Sequence, residues 1–235
     1  MRKILIALTL GLGSLPALAA SLAQQFALMD QGAQSALDTR LFSHDGVEIQ
    51  AWIDGPPVII AVPIRNEQGK SVGESRYYFK GGKLFGVKEP EAQFGFDEQG
   101  ALTQWLDAKG EPAEFVSKMS MQQREAWLGK RAAELAALFA LSPGEQRLAK
   151  GDAGIKLKGA ELAHWLCNDK LMALTGGDKV TSEKAGLKVS EERVEGAVNL
   201  RLDTGWQPLY LRCDLQAQRV TRLTWQPLPG ANKPQ

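Results

Sequence analysis

The chain has 235 residues, of which 44% are apolar and 23% are charged, and its formal net charge is +1 at pH 7. These proportions are those of an ordinary globular protein, and they exclude a chain that is disordered over most of its length. A surface so close to neutral gives no electrostatic basis for binding nucleic acid or an anionic membrane, and the length allows one large domain or two small ones.

Residues 1–19 have the pattern of a secretory signal peptide. Arg2-Lys3 gives a cationic start, residues 4–15 are mostly apolar, and Pro16 precedes the small-residue motif Ala17-Leu18-Ala19. The apolar run is too short to span a bilayer of about 30 Å, and no later segment is long enough. We therefore expect signal cleavage to leave about 215 residues without a transmembrane segment. The expected location is the periplasm, or the medium if the cell is not Gram-negative.

Periodicity predicts a short helix at the start of the mature chain. In residues 20–38, Phe26, Met29, Ala33 and Leu37 recur at the three- and four-residue spacing of one helical face. Because a helix with one apolar face has to bury that face, we expect this segment to pack on a sheet.

Residues 41–107 change to the period of β-strands. Short runs of β-type residues alternate with turn clusters that end on glycine, which reaches positive φ at little cost. The predicted strands are 47–53, 58–62, 75–79, 83–87, 93–96 and 101–106, and the predicted turns are 66–69, 80–82 and 97–100. Strands at this spacing predict an antiparallel β-meander.

Two segments of this meander repeat one order of residue types. Residues 78–84 and 94–102 each have an aromatic residue, a turn, a glycine and then a leucine. This order resembles the hairpin unit of MORN-type repeats. The resemblance covers about thirty residues, implies a β-hairpin and carries no functional residue to this chain.

The clearest helix covers residues 117–141. Ser120 with Gln123 matches a capping box, and an apolar face follows at helical spacing. That face consists of Met121, Leu128, Ala132, Leu135 and Phe139. Proline and glycine after Ser142 end the helix, and the polar residues 145–154 are the predicted linker.

Beyond this linker the pattern returns to strands. Those predicted are 155–158, 186–189, 197–202, 209–213 and 220–225. Residues 161–174 fit either a helix or a hairpin that turns at Asn168-Asp169. The tail from residue 227 has little to bury, so we expect it to be frayed.

Together these elements predict an α+β fold. It consists of an N-terminal helix, an antiparallel β-meander, a long central helix and a second β-rich region. The predicted division is 1–19 for the signal peptide, 20–144 for the first region and 145–235 for the second. The linker is short enough for two domains or for one continuous sheet, and both alternatives stay open.

Two cysteines, Cys167 and Cys213, are the only ones in the chain. An isolated pair in an oxidising compartment most simply forms one disulfide, and the spacing is unlike the C-x-x-C of redox-active pairs. His164 lies three residues before Cys167, but oxidation removes the thiolate that a Cys–His nucleophile needs. We therefore predict a structural disulfide.

No other pattern indicates chemistry. His44 has Asp45, Glu48 and Asp54 near it, but their spacing matches neither a calcium loop nor a zinc pair. The serines form no nucleophile elbow, and the paired glycines open no phosphate loop. We therefore predict no catalytic, metal-binding or cofactor-binding residue.

The aromatic residues offer a candidate contact surface. Tyr77 and Tyr78 are consecutive in a predicted strand, so their side chains face opposite sides of the sheet. At least one of them is therefore a candidate surface aromatic on which a ligand or partner stacks.

Three functional hypotheses follow. The first is a non-catalytic binding or accessory module of the cell envelope, whose partner is an unknown envelope protein or a small ligand. The second is a carrier of an apolar ligand such as a lipid, because the stretch of about twenty residues from 205–209 through Trp225 resembles the closing hairpin of lipoprotein-carrier folds. The third is an exported hydrolase with an unrecognised carboxylate site, whose members need only be neighbours in space.

Overall fold

A computed structural model describes residues 21–44, 46–182 and 186–228. The predicted signal peptide at 1–19 therefore lies outside the described residues. So do Asp45 and the part of the tail that follows residue 228.

In the described part of the chain, one sheet of twelve strands forms the framework. Its strands are β1 Asp38–His44, β2 Val47–Ile53, β3 Pro57–Arg65, β4 Ser71–Lys80, β5 Lys83–Lys88, β6 Ala92–Phe96, β7 Leu102–Asp107, β8 Lys179–Thr181, β9 Leu187–Val189, β10 Arg193–Leu202, β11 Gly205–Gln216 and β12 Arg219–Pro227. The order across the sheet is β7-β6-β5-β4-β3-β2-β1-β12-β11-β10-β8, and β9 also pairs with β10. The α+β prediction is confirmed, although the molecule is richer in strands than predicted.

The sheet is continuous because its two meanders join at β1 and β12. These two strands are parallel, with Leu41 opposite Arg222 and Phe42 opposite Leu223. Every other pair of neighbouring strands is antiparallel within the described residues. Of the two alternatives that the sequence left open, the structure has the single sheet.

Within the described residues, four helices cover the two faces of this sheet. They are α1 Leu22–Ala36, α2 Lys118–Leu138, α3 Pro143–Ala149 and α4 Gly159–Thr175. Leu128 of α2 and Leu166 of α4 belong to the larger hydrophobic core, together with Phe42 of β1. Phe26 of α1 belongs to a second, smaller core with Ile59 of β3. We call the face under α2 and α4 the inner face and the face under α1 the outer face.

The N-terminal helix packs on the sheet as its periodicity predicts. Ser21 and Gln24 form a capping box at its start. The ring of Phe26 stacks on Tyr78 of β4, with centroids 4.2 Å apart. Gly86 of β5 allows this approach, because a Cβ atom there would lie 2.6 Å from the Phe26 ring.

The long helix begins at Lys118, next to its predicted start at residue 117, but its cap is not the predicted Ser120. Ser117 is the N-cap, and its hydroxyl accepts a hydrogen bond from the N–H of Ser120 at 3.0 Å. The predicted apolar face is buried at Leu128, Ala132 and Leu135. The apolar spacing therefore predicted the helix correctly, but the prediction of Ser120 as its cap was wrong.

The predicted linker at 145–154 is wrong over its first half. Residues 143–149 form α3, which has a capping box between Ser142 and Glu145 and a proline in its first turn. Polar composition suggested a linker, but Glu145 is buried and its carboxylate serves the cap. The predicted strand at 155–158 is also absent, since those residues have no regular structure.

The ambiguous segment 161–174 is a helix rather than a hairpin. It lies within α4, which ends at Gly176 with φ 73°. The left-handed conformation of this residue favours glycine and closes the helix by a hydrogen bond from its N–H to the carbonyl of Met172.

The predicted disulfide is confirmed. Cys167 of α4 is bonded to Cys213 of β11, with the sulfur atoms 2.00 Å apart. Both cysteines are fully buried in the larger core, so the bond attaches α4 to the inner face of the sheet. None of the helices in the described part of the chain combines the length and apolar composition needed to cross a membrane.

Candidate functional site

A cleft opens at the end of the sheet where β1, β3 and β12 begin. The turns β2–β3 and β4–β5 border it, as does the segment that follows α2. Its volume is about 420 Å³, and it is lined by Arg40, Gly55, Pro56, Pro57, Phe79, Gly82, Ala136, Phe139, Ala140, Leu141 and Arg219. We call it the arginine cleft.

Arg40 is the residue that distinguishes this cleft. It lies two residues before Phe42 in β1, so both side chains are on the inner face. Only 7% of Arg40 is exposed there. No described residue forms a hydrogen bond or an ion pair with its guanidinium group. Burial lowers the pKa of Arg40, while the charges of Glu145 and Asp38 oppose that shift.

A buried ion pair lies close to Arg40. The ammonium of Lys170 is 3.8 Å from Oε2 of Glu145, and both side chains are almost entirely buried. Lys170 also donates to the carbonyl of Ala140 at 2.6 Å and lies 4.7 Å from the ring centroid of Phe42. Burial lowers the pKa of Lys170 to about 8.

Glu145 is occupied by partners other than Arg40. Its Oε1 accepts a hydrogen bond from the N–H of Val220 at 3.0 Å, and its Oε2 accepts one from the N–H of Ser142 at 2.9 Å. This carboxylate therefore attaches α3 to β12 and compensates Lys170. Arg40, although a largely buried residue, is left without a hydrogen bond or ion pair to any described residue.

Arg219 adds a second positive charge. It is exposed at the start of β12, lines the same cleft, and its charge contributes to lowering the pKa of Arg40. An adjoining hollow of about 420 Å³ shares Arg40 and Arg219 with the cleft but also contains Asp38 and Asp54. The lining of the cleft is therefore apolar apart from its two arginines, and the two aspartates line the adjoining hollow and not the cleft.

The prediction that Tyr77 or Tyr78 is a surface aromatic is wrong. Tyr77 and Tyr78 do face opposite sides of the sheet, but they are only 2% and 0% exposed. Tyr77 belongs to the larger core, where burial raises its pKa to about 12. Tyr78 is covered by Phe26, and its hydroxyl lies 3.2 Å from both carboxylate oxygens of Asp30. Helices cover both faces here, which the strand pattern alone does not reveal.

Neither a Cys–His nucleophile at His164 nor a metal site near His44 is supported by the described residues. His164 has its Nε2 3.1 Å from the side-chain nitrogen of Asn168, and Cys167 is held in the disulfide rather than as a thiolate. The described residues contain no group of three or more histidines, cysteines, aspartates or glutamates placed to hold a metal ion. Asp45, a member of the loop considered near His44, lies outside them.

Sequence reasoning missed the arginine cleft. The strand β1 was not predicted, so Arg40 had no assigned face. The available signal is Arg40-Leu41-Phe42, a charged residue two positions from an aromatic, which places both on one face only if the segment is a strand. The remaining lining residues come from segments far apart in the chain.

Comparisons of the chain with protein-family models, with curated proteins and with solved structures give no match. The chemistry of the cleft is therefore argued from its own residues.

Proposed function

We propose that this protein is an exported, non-catalytic binding protein of the cell envelope whose small ligand occupies the arginine cleft. The observation that carries the proposal is Arg40, a residue that is only 7% exposed, that lines the cleft, and whose guanidinium has no hydrogen bond or ion pair with a described residue. Glu145 and Asp38 act on this charge only from beyond ion-pair distance, and a half-hidden guanidinium without a direct partner is costly to keep unless something else binds it. A bound anion would do so here.

Two features support export. The signal pattern at residues 1–19 predicts it. The disulfide between Cys167 and Cys213 is of the kind that persists in oxidising compartments. The proposed location is therefore the periplasm, or the medium in a cell with a single membrane.

One observation favours the second hypothesis, a carrier of an apolar ligand. Phe79, Phe139 and Leu141 line the cleft beside the arginines, which gives it an apolar wall. The two proposals differ in how much of the ligand is charged. The hydrolase hypothesis gains no support from this cleft, because the oxygens of Glu145 accept backbone hydrogen bonds instead of facing a substrate.

Native mass spectrometry of gently purified protein tests the proposal. We expect a bound small molecule in the wild type and its loss in Arg40→Met. The matched control is Arg65→Met, at the opposite end of β3, which should keep the bound molecule. Absence of any bound molecule from the wild type, or retention of it in Arg40→Met, would contradict the proposal.

Stability separates a binding arginine from a structural one. Removing a buried cation without a partner should leave the free energy of unfolding of the ligand-free protein unchanged or raise it by about 1 kcal/mol. An arginine that holds the fold together would instead cost about 2 kcal/mol or more. Urea denaturation of Arg40→Met beside the wild type measures the difference.

A further inference from the structure

The two arginines of the cleft specify the charge of its ligand. Arg40 and Arg219 line one space, and no carboxylate lies among the residues that line it. Two like charges that line one space attract an oxyanion, which a guanidinium binds through two parallel hydrogen bonds.

The remaining surface of the cleft specifies the rest of the ligand. Apart from the arginines, every lining residue is apolar or glycine, with Pro56, Pro57, Phe79, Phe139 and Leu141 as the larger side chains. A polar group placed here would lose its hydration without gaining a partner. The volume of about 420 Å³ lies within the range of small-molecule sites.

The adjoining hollow indicates on which side of Arg40 the anion binds. Asp38 and Asp54 line that hollow and would repel a negative group, whereas the cleft has only positive and apolar lining. The charged head is therefore placed at the two arginines on the side of the cleft, away from Asp38 and Asp54, and the apolar part against the remaining lining of the cleft.

We propose that the arginine cleft binds an amphipathic monoanion, with a compact oxyanion head held by Arg40 and Arg219 and an aliphatic tail against Phe79 and Phe139. The inference rests on the proposed function, because it names the class of ligand for the same site. It predicts that head and tail each contribute to affinity.

Calorimetric titration with three probes tests the two parts of the ligand separately. Decanoate has both head and tail, decanol has only the tail, and acetate has only the head. Decanoate should bind the purified protein at least about tenfold more tightly than either of the others. Equal affinity for decanoate and decanol would overturn the assignment of the head, and equal affinity for decanoate and acetate would overturn that of the tail.

Variants assign each part to its residues. Arg40→Met should weaken decanoate binding by about tenfold or more and leave decanol binding unchanged. Ala136→Phe places a ring in the cleft and should weaken both long-chain probes. Ala137→Phe, one position along the same helix but exposed, is the matched control and should bind all probes as the wild type does. Weak long-chain binding in both alanine variants would contradict the placement of the tail.

The outcomes distinguish this inference from the proposed function. If no probe binds while native mass spectrometry shows a molecule whose retention requires Arg40, the ligand class is wrong and the binding function stands. If no probe binds and no bound molecule is found, both proposals fail.

Discussion

Three charged residues are buried at the inner face, and they differ in their hydrogen bonds and ion pairs. Glu145 accepts two backbone hydrogen bonds, and Lys170 has both that carboxylate and a carbonyl oxygen. Arg40 has neither kind of partner among the described residues. Two of the three charges thus serve to join elements of the fold, while the third is directed towards a space from which a ligand can reach it.

The pH dependence of stability provides a test for Lys170. Burial lowers its pKa in the folded protein to about 8 from the ordinary 10.5, against the opposing charge of Glu145; the charge of Arg40 adds to the lowering and that of Asp169 opposes it. Between these two pH values the unfolded chain binds more protons than the folded protein, so stability rises with pH. Below pH 8 both forms are protonated and the cost of burial is fully present.

We therefore expect the free energy of unfolding of the wild type to rise, relative to that of Lys170→Met, as the pH increases from about 8 to 10.5. Urea denaturation at a series of pH values measures both proteins, and titrations common to them cancel in the difference. Parallel profiles would show that Lys170 titrates normally in the folded protein.

At the scale of elements, α1 depends on one close approach to the sheet. A Cβ atom on Gly86 would lie 2.6 Å from ring carbons of Phe26 and 2.9 Å from the carbonyl oxygen of Phe94. The ring has to move, and it is one of the large side chains of the second core. A substitution at this glycine therefore tests the packing of α1 on the sheet without directly changing the larger core.

Gly86→Ala should lower the free energy of unfolding by about 2 kcal/mol through overpacking. Hydrogen exchange should increase in α1 more than in α2. The matched control is Gly129→Ala, in the exposed interior of α2 with no atom within 4 Å of the added Cβ, which should stabilise by up to about 1 kcal/mol. An unchanged α1 in Gly86→Ala would contradict the proposed contact.

Local patterns predicted most elements because period and turn chemistry act over a few residues. The glycine turns located the first meander, and the apolar period located α1 and α2. The same reasoning failed at α3, where the polar Glu145 is buried by contacts with a strand 75 residues away in sequence. It also failed at β1, where the inward-facing Arg40 interrupts the expected apolar alternation.

At the scale of the whole molecule, the disulfide links the helical layer to the sheet. It joins residues 46 apart, and closing such a loop stabilises the folded state by about 4 kcal/mol in the chain-entropy model. We expect the double variant Cys167→Ser/Cys213→Ser to lose a free energy of unfolding of that order. Thiol labelling of unfolded, unreduced protein should detect no free thiol, and two labelled thiols per chain would refute the bond.

The path of the whole sheet was beyond prediction. Each meander has local hairpin signals, but the parallel pairing of β1 with β12 brings Leu41 next to Arg222 without any local sequence signature. The arginine cleft depends on that junction, because Arg40 and Arg219 belong to these two strands. Sequence patterns thus predicted the parts of the framework, while the candidate site arises where distant parts meet.

The junction of β1 with β12 also determines when the molecule can fold. β1 comes early in the chain and β12 is the last strand described, so one edge of β1 stays unpaired until the ribosome has made almost everything between them. Contacts of such high sequence separation make folding slow. The first meander can therefore pair internally as it is made, whereas the full sheet, and with it the arginine cleft, is completed only after β12 has been added.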